Sequence, residues 1–193
     1  SNILKNITVL GAGSWGTAMA SVMARQGHNT TLWGRDEATI HTINTKSQNP
    51  KYLPEILLPK NISATLNIDE AVSNSDIILI VTPAQTMADI AKSLGKTQTT
   101  AELVLCAKGI DQNTGKLPAE TLKQFLPNAT IAALSGPSFS SDVAKGLPTA
   151  VTLGCETISK AQELSQILSD PAFRVYASSD LKGVELGGAL KNV

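Results

Sequence analysis

The chain has 193 residues, 42% of them hydrophobic, 17% charged and 4% aromatic, which is enough apolar material for one folded domain and the start of a second. Sixteen Lys plus Arg balance sixteen Asp plus Glu, so no net field draws it to nucleic acid or an anionic membrane, and an anionic ligand must be held by local geometry. The strongly apolar runs, such as 77–81, fall far short of the roughly 20 residues a bilayer span requires, which excludes a membrane span and a signal peptide. Cys106 and Cys155 lack the CxxC spacing of a zinc or redox motif and read as reduced core residues of a cytoplasmic protein. His28 and His41 have no carboxylate cluster nearby, so no metal is expected. Ser1-Asn2 in place of Met reads as a trimmed end outside the fold.

Short β-branched runs alternate with longer Ala-rich stretches, the pattern of βαβ units on a parallel sheet. In chain order it predicts a strand at 7–10, a helix at 14–26 and a strand at 29–33. From 44 to 60 the pattern lapses into polar residues with Pro50, Pro54 and Pro59, which reads as a surface excursion. Strands follow at 77–81, 102–106, 130–134, 149–153 and 173–176, with helices at 84–94, 117–125, 139–145 and 158–168 between them. The run 77–81 is apolar at successive positions, as expected of a central strand covered on both faces. A last helix opens near Asp180, with Ser179 or Asp180 as its cap, and the chain stops inside it. The fold class is therefore α/β: a Rossmann-like, doubly wound, mostly parallel sheet with flanking helices over 3–179, and a helix from 180 to 193 leading onward.

After the first strand, GAGSWGTA places Gly11, Gly13 and Gly16 in a GxGxxG arrangement that passes directly into a helix. Gly11 allows the tight turn, Gly13 lets a pyrophosphate approach the backbone, and Gly16 lets the helix pack closely on the strand. The helix N-terminus then offers N–H groups and a partial positive charge to phosphates. A turn serving only packing is the plainer alternative. At the end of the second strand, where an acid would bind the ribose of NAD, stands Arg35. A guanidinium there can stack on adenine and pair with a 2′-phosphate, which favours NADP over NAD. Asp36 and Glu37 could instead cap the next helix or supply the missing acid, and Arg35 could be a solvated surface residue.

Three further segments follow predicted strand ends: Thr82-Pro83-Ala84-Gln85, Ala107-Lys108-Gly109 and Ser135-Gly136-Pro137-Ser138-Phe139. Ligands of open α/β sheets collect at these ends. With GAGSWGTA, LWGR and CAKGI before them and GVELGGALKNV after, they resemble the NAD(P)-dependent glycerol-3-phosphate dehydrogenases, the bacterial biosynthetic type in particular, over 7–193. The resemblance implies that Ser14, Trp15, Arg35 and Lys108 hold NADP or NAD, and that Lys108, Gly136 and Ser138 meet dihydroxyacetone phosphate or sn-glycerol 3-phosphate. It makes Lys191 the catalytic base and a substrate contact. The family carries Ala where this chain has Ser140; the dinucleotide contact there runs through the main chain, so Ser140 keeps it.

The residue chemistry fits these roles. Oxidation of a secondary alcohol needs a base for the hydroxyl proton while hydride leaves for the nicotinamide. A lysine serves when an apolar cleft and a second cation lower its pKa. Gly187 and Gly188 lie one helical turn before Lys191, leaving room for a small ligand below it. Other readings stay open at several residues: Ser138 as a helix cap, Trp15 as packing, Glu185 as a solvated face, and Lys108 and Lys191 as surface amines. The resemblance also implies a C-terminal helical domain absent from this chain, which alone is expected to bind NAD(P)(H) with little or no turnover. An apolar face left open would favour a homodimer. The competing functions are a β-hydroxyacid or 6-phosphogluconate-type dehydrogenase, against which SGPSF and LKNV weigh, and a non-catalytic NAD(P)-sensing module.

Overall fold

A computed structural model describes residues 3–106 and 110–190. Strand β1 (Asn6–Leu10) leads into α1 (Ser14–Arg25), then β2 (Asn29–Trp33) and α2 (Glu37–Lys46). After a long loop come β3 (Ile62–Thr65), α3 (Ile68–Val72), β4 (Ile77–Ile80), a 3-10 turn at Ala84–Thr86 and α4 (Met87–Thr97). The second half runs β5 (Glu102–Leu105), α5 (Pro118–Phe125), β6 (Ile131–Ser135), α6 (Ser140–Ala144), β7 (Thr149–Cys155), α7 (Ile158–Leu168), β8 (Phe173–Ser178) and α8 (Leu181–Leu190). The sheet order is β3-β2-β1-β4-β5-β6-β7-β8. Among the described strands of the sheet, only the β6–β7 pair is antiparallel. The chain first winds from β1 outward to β3, then returns to β4 on the other side of β1, so the two halves diverge between β1 and β4.

The alternation of side chains across the pleat divides the core into two layers. Ile77 and Leu79 of β4 join Ile7, Val9, Met19, Val22 and Leu164 on the α1, α6 and α7 side. Ile78 and Ile80 join Leu10, Ile90, Leu94 and Leu122 on the α3, α4 and α5 side. All four β4 side chains are at most 1% exposed, each contributing roughly 1.5–3 kcal/mol by burial, so this strand is central as expected. Helix α1 is Ala-rich and buried from Gly16 to Ala24; it ends at Gln26, where Gly27 takes the left-handed φ of +96° that turns the chain into β2.

The expected strands and helices are present with small shifts at their ends, but two short elements, β3 and α3, were not anticipated. The stretch after Asn44 also departs from a plain surface excursion. Helix α2 continues to Lys46, and beyond it Asn49, Leu53, Ile56 and Leu58 are buried against the α1 side of the core. The prolines break any helix or strand there without keeping the apolar side chains out of the interior.

Three end-group readings are resolved. Asp180 caps α8: its Oδ1 accepts from Gly183 N at 3.0 Å and its carbonyl from Val184 N at 3.1 Å. Glu185 is not a solvated residue. It is 8% exposed, and its Oε2 accepts the Ala119 N–H at 2.8 Å, satisfying a first-turn donor of α5 that Leu117 cannot cap. Ser138 is not a helix cap either, because α6 starts at Ser140 with Phe139 at the capping position and no side chain capping it.

Candidate functional site

The glycine turn has the geometry its sequence implied. Gly11 adopts φ +113°, closed to residues with a Cβ, and donates its N–H to the Trp33 carbonyl at 2.8 Å. A Cβ on Gly16 would stand 1.6 Å from the Gly11 carbonyl oxygen, so the first turn of α1 rests directly on the glycine loop. Gly13 differs: a Cβ there would meet nothing within 4 Å among the described residues. Gly13, at the capping position, has no side chain to cap α1, and the first turn holds no acid, so the positive end of the helix faces that space. A dinucleotide fits this cradle, since open room above Gly13 and an uncompensated helix dipole are what a pyrophosphate requires.

The loop after α2 braces the turn. Asn49, fully buried, donates through Nδ2 to the Ala12 carbonyl at 3.1 Å and to Thr17 Oγ1 at 2.8 Å, while Ser14 Oγ donates to the Tyr52 carbonyl at 2.9 Å. Nothing in the spacing of residues around Asn49 and Pro50 announces this brace. Trp15 is half-buried and packs against the core.

Beyond β2, a Cβ on Gly34 would come 2.6 Å from the Ala12 Cβ, bringing the β2 end close to the glycine turn. Arg35 is exposed, its guanidinium 5.4 Å from the Trp33 ring centroid, and Trp33 Nε1 donates to the Leu66 carbonyl at 2.9 Å. Asp36 is occupied: one carboxylate oxygen accepts the Thr39 hydroxyl at 2.6 Å and lies 3.7 Å from Lys51 Nζ. The Thr39 hydrogen bond, with Lys51 assisting, holds its pKa below the ordinary value.

Parallel pairing brings the ends of β1, β2, β4, β5 and β6 to one edge of the sheet. Thr82 lies past β4 beside Gly11, and its Oγ1 is buried without a hydrogen-bond partner among the described residues. Past β5, Cys106 donates its N–H to the Ile80 carbonyl at 2.8 Å, and burial pushes its thiol up to about 12. Ala107, Lys108 and Gly109, with the predicted Lys108 contact, lie outside the described residues, as does Lys191 beyond α8.

Past β6, Gly136 has no room for a side chain, since a Cβ would sit 2.6 Å from Val151 Cγ1. Ser138 is half-buried, Ser140 opens α6, and α6 packs on α1. Gly136, Ser135, Asp180, Gly183 and Gly187 line a cleft of about 370 Å³ between β6, β7 and α8. Among the described residues, a Cβ on Gly187 would meet nothing within 4 Å. A larger cleft of about 840 Å³, lined by Lys5, Ser165 and Tyr176, includes none of these loops. Among the described residues no group of three His, Cys, Asp or Glu could hold a metal ion, and no helix is long and apolar enough to cross a membrane.

Comparison with known proteins bears on this arrangement. Residues 6–161 match the model of the "NAD-dependent glycerol-3-phosphate dehydrogenase N-terminus". A glycerol-3-phosphate dehydrogenase [NAD(P)+] of Brucella canis is 52% identical over 188 residues, 97% of this chain and 58% of its own. The chain thus spans little more than half the length of the curated relatives it matches. Among solved structures, glycerol-3-phosphate dehydrogenase from Coxiella burnetii superposes with a TM-score of 0.90 at 32% identity, covering 98% of this chain and 58% of that one. The Plasmodium falciparum enzyme of the same name gives 0.88 at 27%, covering 98% and 56%.

Proposed function

The chain belongs to the family of NAD-dependent glycerol-3-phosphate dehydrogenases, whose N-terminal part it matches, and from that membership we propose that it is the dinucleotide-binding portion of an enzyme interconverting dihydroxyacetone phosphate and sn-glycerol 3-phosphate. The observation that carries the proposal is the cradle at Gly11, Gly13 and Gly16, tight at two glycines and open at the third. Residues 3–179 form the dinucleotide-binding domain, and the helix opening at 180 leads toward a substrate domain. The product would supply glycerophospholipid synthesis, and the two free cysteines suit a reducing cytoplasm.

Ser14, Trp15 and Ser140 hold the dinucleotide beside the glycines, and Arg35 reads its adenosine end. NADP is preferred to NAD, because Arg35 is exposed with no acid paired to it among the described residues, while the adjacent Asp36 is engaged by Thr39 and Lys51. Lys108, Gly136, Ser138 and Lys191 meet the three-carbon phosphoester. The nicotinamide, when bound, donates or accepts hydride. In ketone reduction the Lys191 ammonium polarises the carbonyl and gives its proton to the forming alkoxide; in the reverse direction the neutral amine takes the hydroxyl proton.

The test uses the intact enzyme with NADPH and dihydroxyacetone phosphate. Steady-state turnover is expected, and Lys191→Ala should lower kcat by at least about 100-fold, the scale of a lost general acid. A wild type that binds NADPH but reduces no ketone would favour a sensing module instead, and unaltered kcat in Lys191→Ala would remove the assigned base.

A further inference from the structure

We propose that the hydroxyl of Thr82 donates a hydrogen bond, directly or through one ordered water, to an oxygen of the second phosphate or nicotinamide ribose of the bound dinucleotide at the junction of β1 and β4, on the opposite side of β1 from the β2 end that reads the adenosine; this rests on the dinucleotide reading above and adds a residue to it.

Thr82 is only 8% exposed, and its Oγ1 has no hydrogen-bond partner among the described residues. Native folds rarely leave a buried hydroxyl unmatched, and such a group calls for a specific reason. Five of the other six buried threonines have a side-chain hydrogen bond among the described residues. Thr8 donates to the Ala71 carbonyl, Thr30 to His28, Thr149 to Leu147 and Thr39 to Asp36, while Thr17 accepts from Asn49. Valine has nearly the same shape, so packing alone does not call for a hydroxyl at this position.

Its location supplies the reason. The Thr82 methyl and backbone nitrogen both lie 3.2 Å from where a Cβ on Gly11 would stand, so Thr82 and the first glycine of the turn share one boundary of the cradle. The register Leu10↔Ile80 sets the two chain segments side by side where the sheet halves diverge, which is where open α/β sheets receive ligands. The segment beyond is held: the Thr86 N–H and hydroxyl both bond to the Pro83 carbonyl, at 3.0 and 2.6 Å. Thr82 is therefore presented on a fixed turn, with its donor capacity unused.

The role makes two effects of Thr82→Val run in opposite directions. Without a ligand, removing an unmatched hydroxyl raises the melting temperature of the chain by about 3 °C. With the ligand, losing the donor weakens NADPH and NADH binding about tenfold, read by fluorescence titration. Thr82→Ser keeps the donor and should stay within about twofold of wild type. AMP, which lacks the second phosphate and the nicotinamide ribose, should compete equally well in all three proteins. Unchanged NADPH affinity in Thr82→Val overturns the proposal, and so does a lowered melting temperature, which would reveal a structural partner. An equal loss for AMP also overturns it, because the turn as a whole would then have moved. A wild type that binds neither coenzyme defeats the dinucleotide reading itself, whereas normal wild-type binding with an indifferent Thr82→Val defeats only this assignment.

Discussion

Replacing Gly13 by Ala isolates the binding function of the glycine turn from its packing function. Gly13 has φ −80° and ψ −163°, a conformation alanine adopts readily, and its added methyl would meet nothing within 4 Å. Two small terms decide stability. Alanine restricts the unfolded chain, which stabilises by about 0.4–1 kcal/mol, but it is a poorer residue than glycine at the start of α1, which costs a similar amount. The net change is within about 1 kcal/mol, or about 3 °C in the melting temperature of a chain of this size. The same methyl fills the room through which a pyrophosphate reaches the backbone, so NADPH and NADH should each bind at least about tenfold more weakly. Gly16→Ala is the contrast, because its Cβ would overlap the Gly11 carbonyl oxygen at 1.6 Å and the first turn of α1 cannot yield without leaving β1. That variant should lose about 4 kcal/mol or more and melt early or not fold. Thermal melts of the ligand-free proteins and coenzyme titrations give both quantities. Wild-type NADPH affinity in Gly13→Ala would refute the claim that the phosphates occupy the space above Gly13.

Arg35→Ala should raise the NADPH dissociation constant about tenfold while changing that of NADH by less than about twofold, since only the former offers a 2′-phosphate; equal effects on both would end the NADP preference. His28, 1% exposed, is held below its ordinary pKa by burial, partly opposed by its bond to the Ile167 carbonyl. The unfolded chain therefore takes up this proton first, and stability should fall as pH drops below about 6.5, by up to about 1.4 kcal/mol per unit, until the folded group also titrates. Denaturant unfolding at several pH values checks this, and a His28→Gln protein should show a flatter slope. Glu185 shifts the opposite way, raised by burial and by Glu120 against the lowering bond from Ala119. Its contribution is complete below the unfolded value of about 4.5 and declines as pH rises through the higher folded one. At pH 7, Glu185→Gln, which keeps an acceptor for the Ala119 N–H, should equal or exceed wild type in stability, and Glu185→Ala should lose about 1–3 kcal/mol.

The sequence declared its long-period features and concealed its isolated ones. Strands such as Ile77–Ile80 are unbroken apolar runs, and α7 (Ile158–Leu168) appears with both ends as expected, because its apolar residues repeat at helical spacing. Strand β3, with sequence ISAT, has one large apolar residue in four and offers no alternation to detect; α3 is a single capped turn, with Asn67 accepting from Glu70 N at 3.1 Å. Leu53, Ile56 and Leu58 are scattered among prolines at no regular period, so their burial could not be read from spacing. In the candidate site, Gly11 and Gly16 are legible because backbone geometry and close packing dictate residue type at those positions. Asn49 is not, and of Thr82 only its place after a strand end is, since what matters at both is which donor is or is not matched, a property of the folded chain alone. Glu185 was misread for the same reason: a charged residue on a helix reveals its burial only when the neighbouring helix end is known.

The turn from α1 into β2 reaches far along the chain. Gln26 Nε2 donates to the Leu168 carbonyl at 2.7 Å, His28 Nε2 lies 3.1 Å from the Ile167 carbonyl, and Arg25 pairs with Asp170 at 3.9 Å. Some 140 residues separate these partners. During synthesis the first βαβ unit leaves the ribosome long before its acceptors exist, so it must wait with those side chains hydrated and its inner face unlatched. Final closure falls to the arrival of α7, and a nascent chain stalled before residue 167 should remain open to proteases at the 25–28 turn.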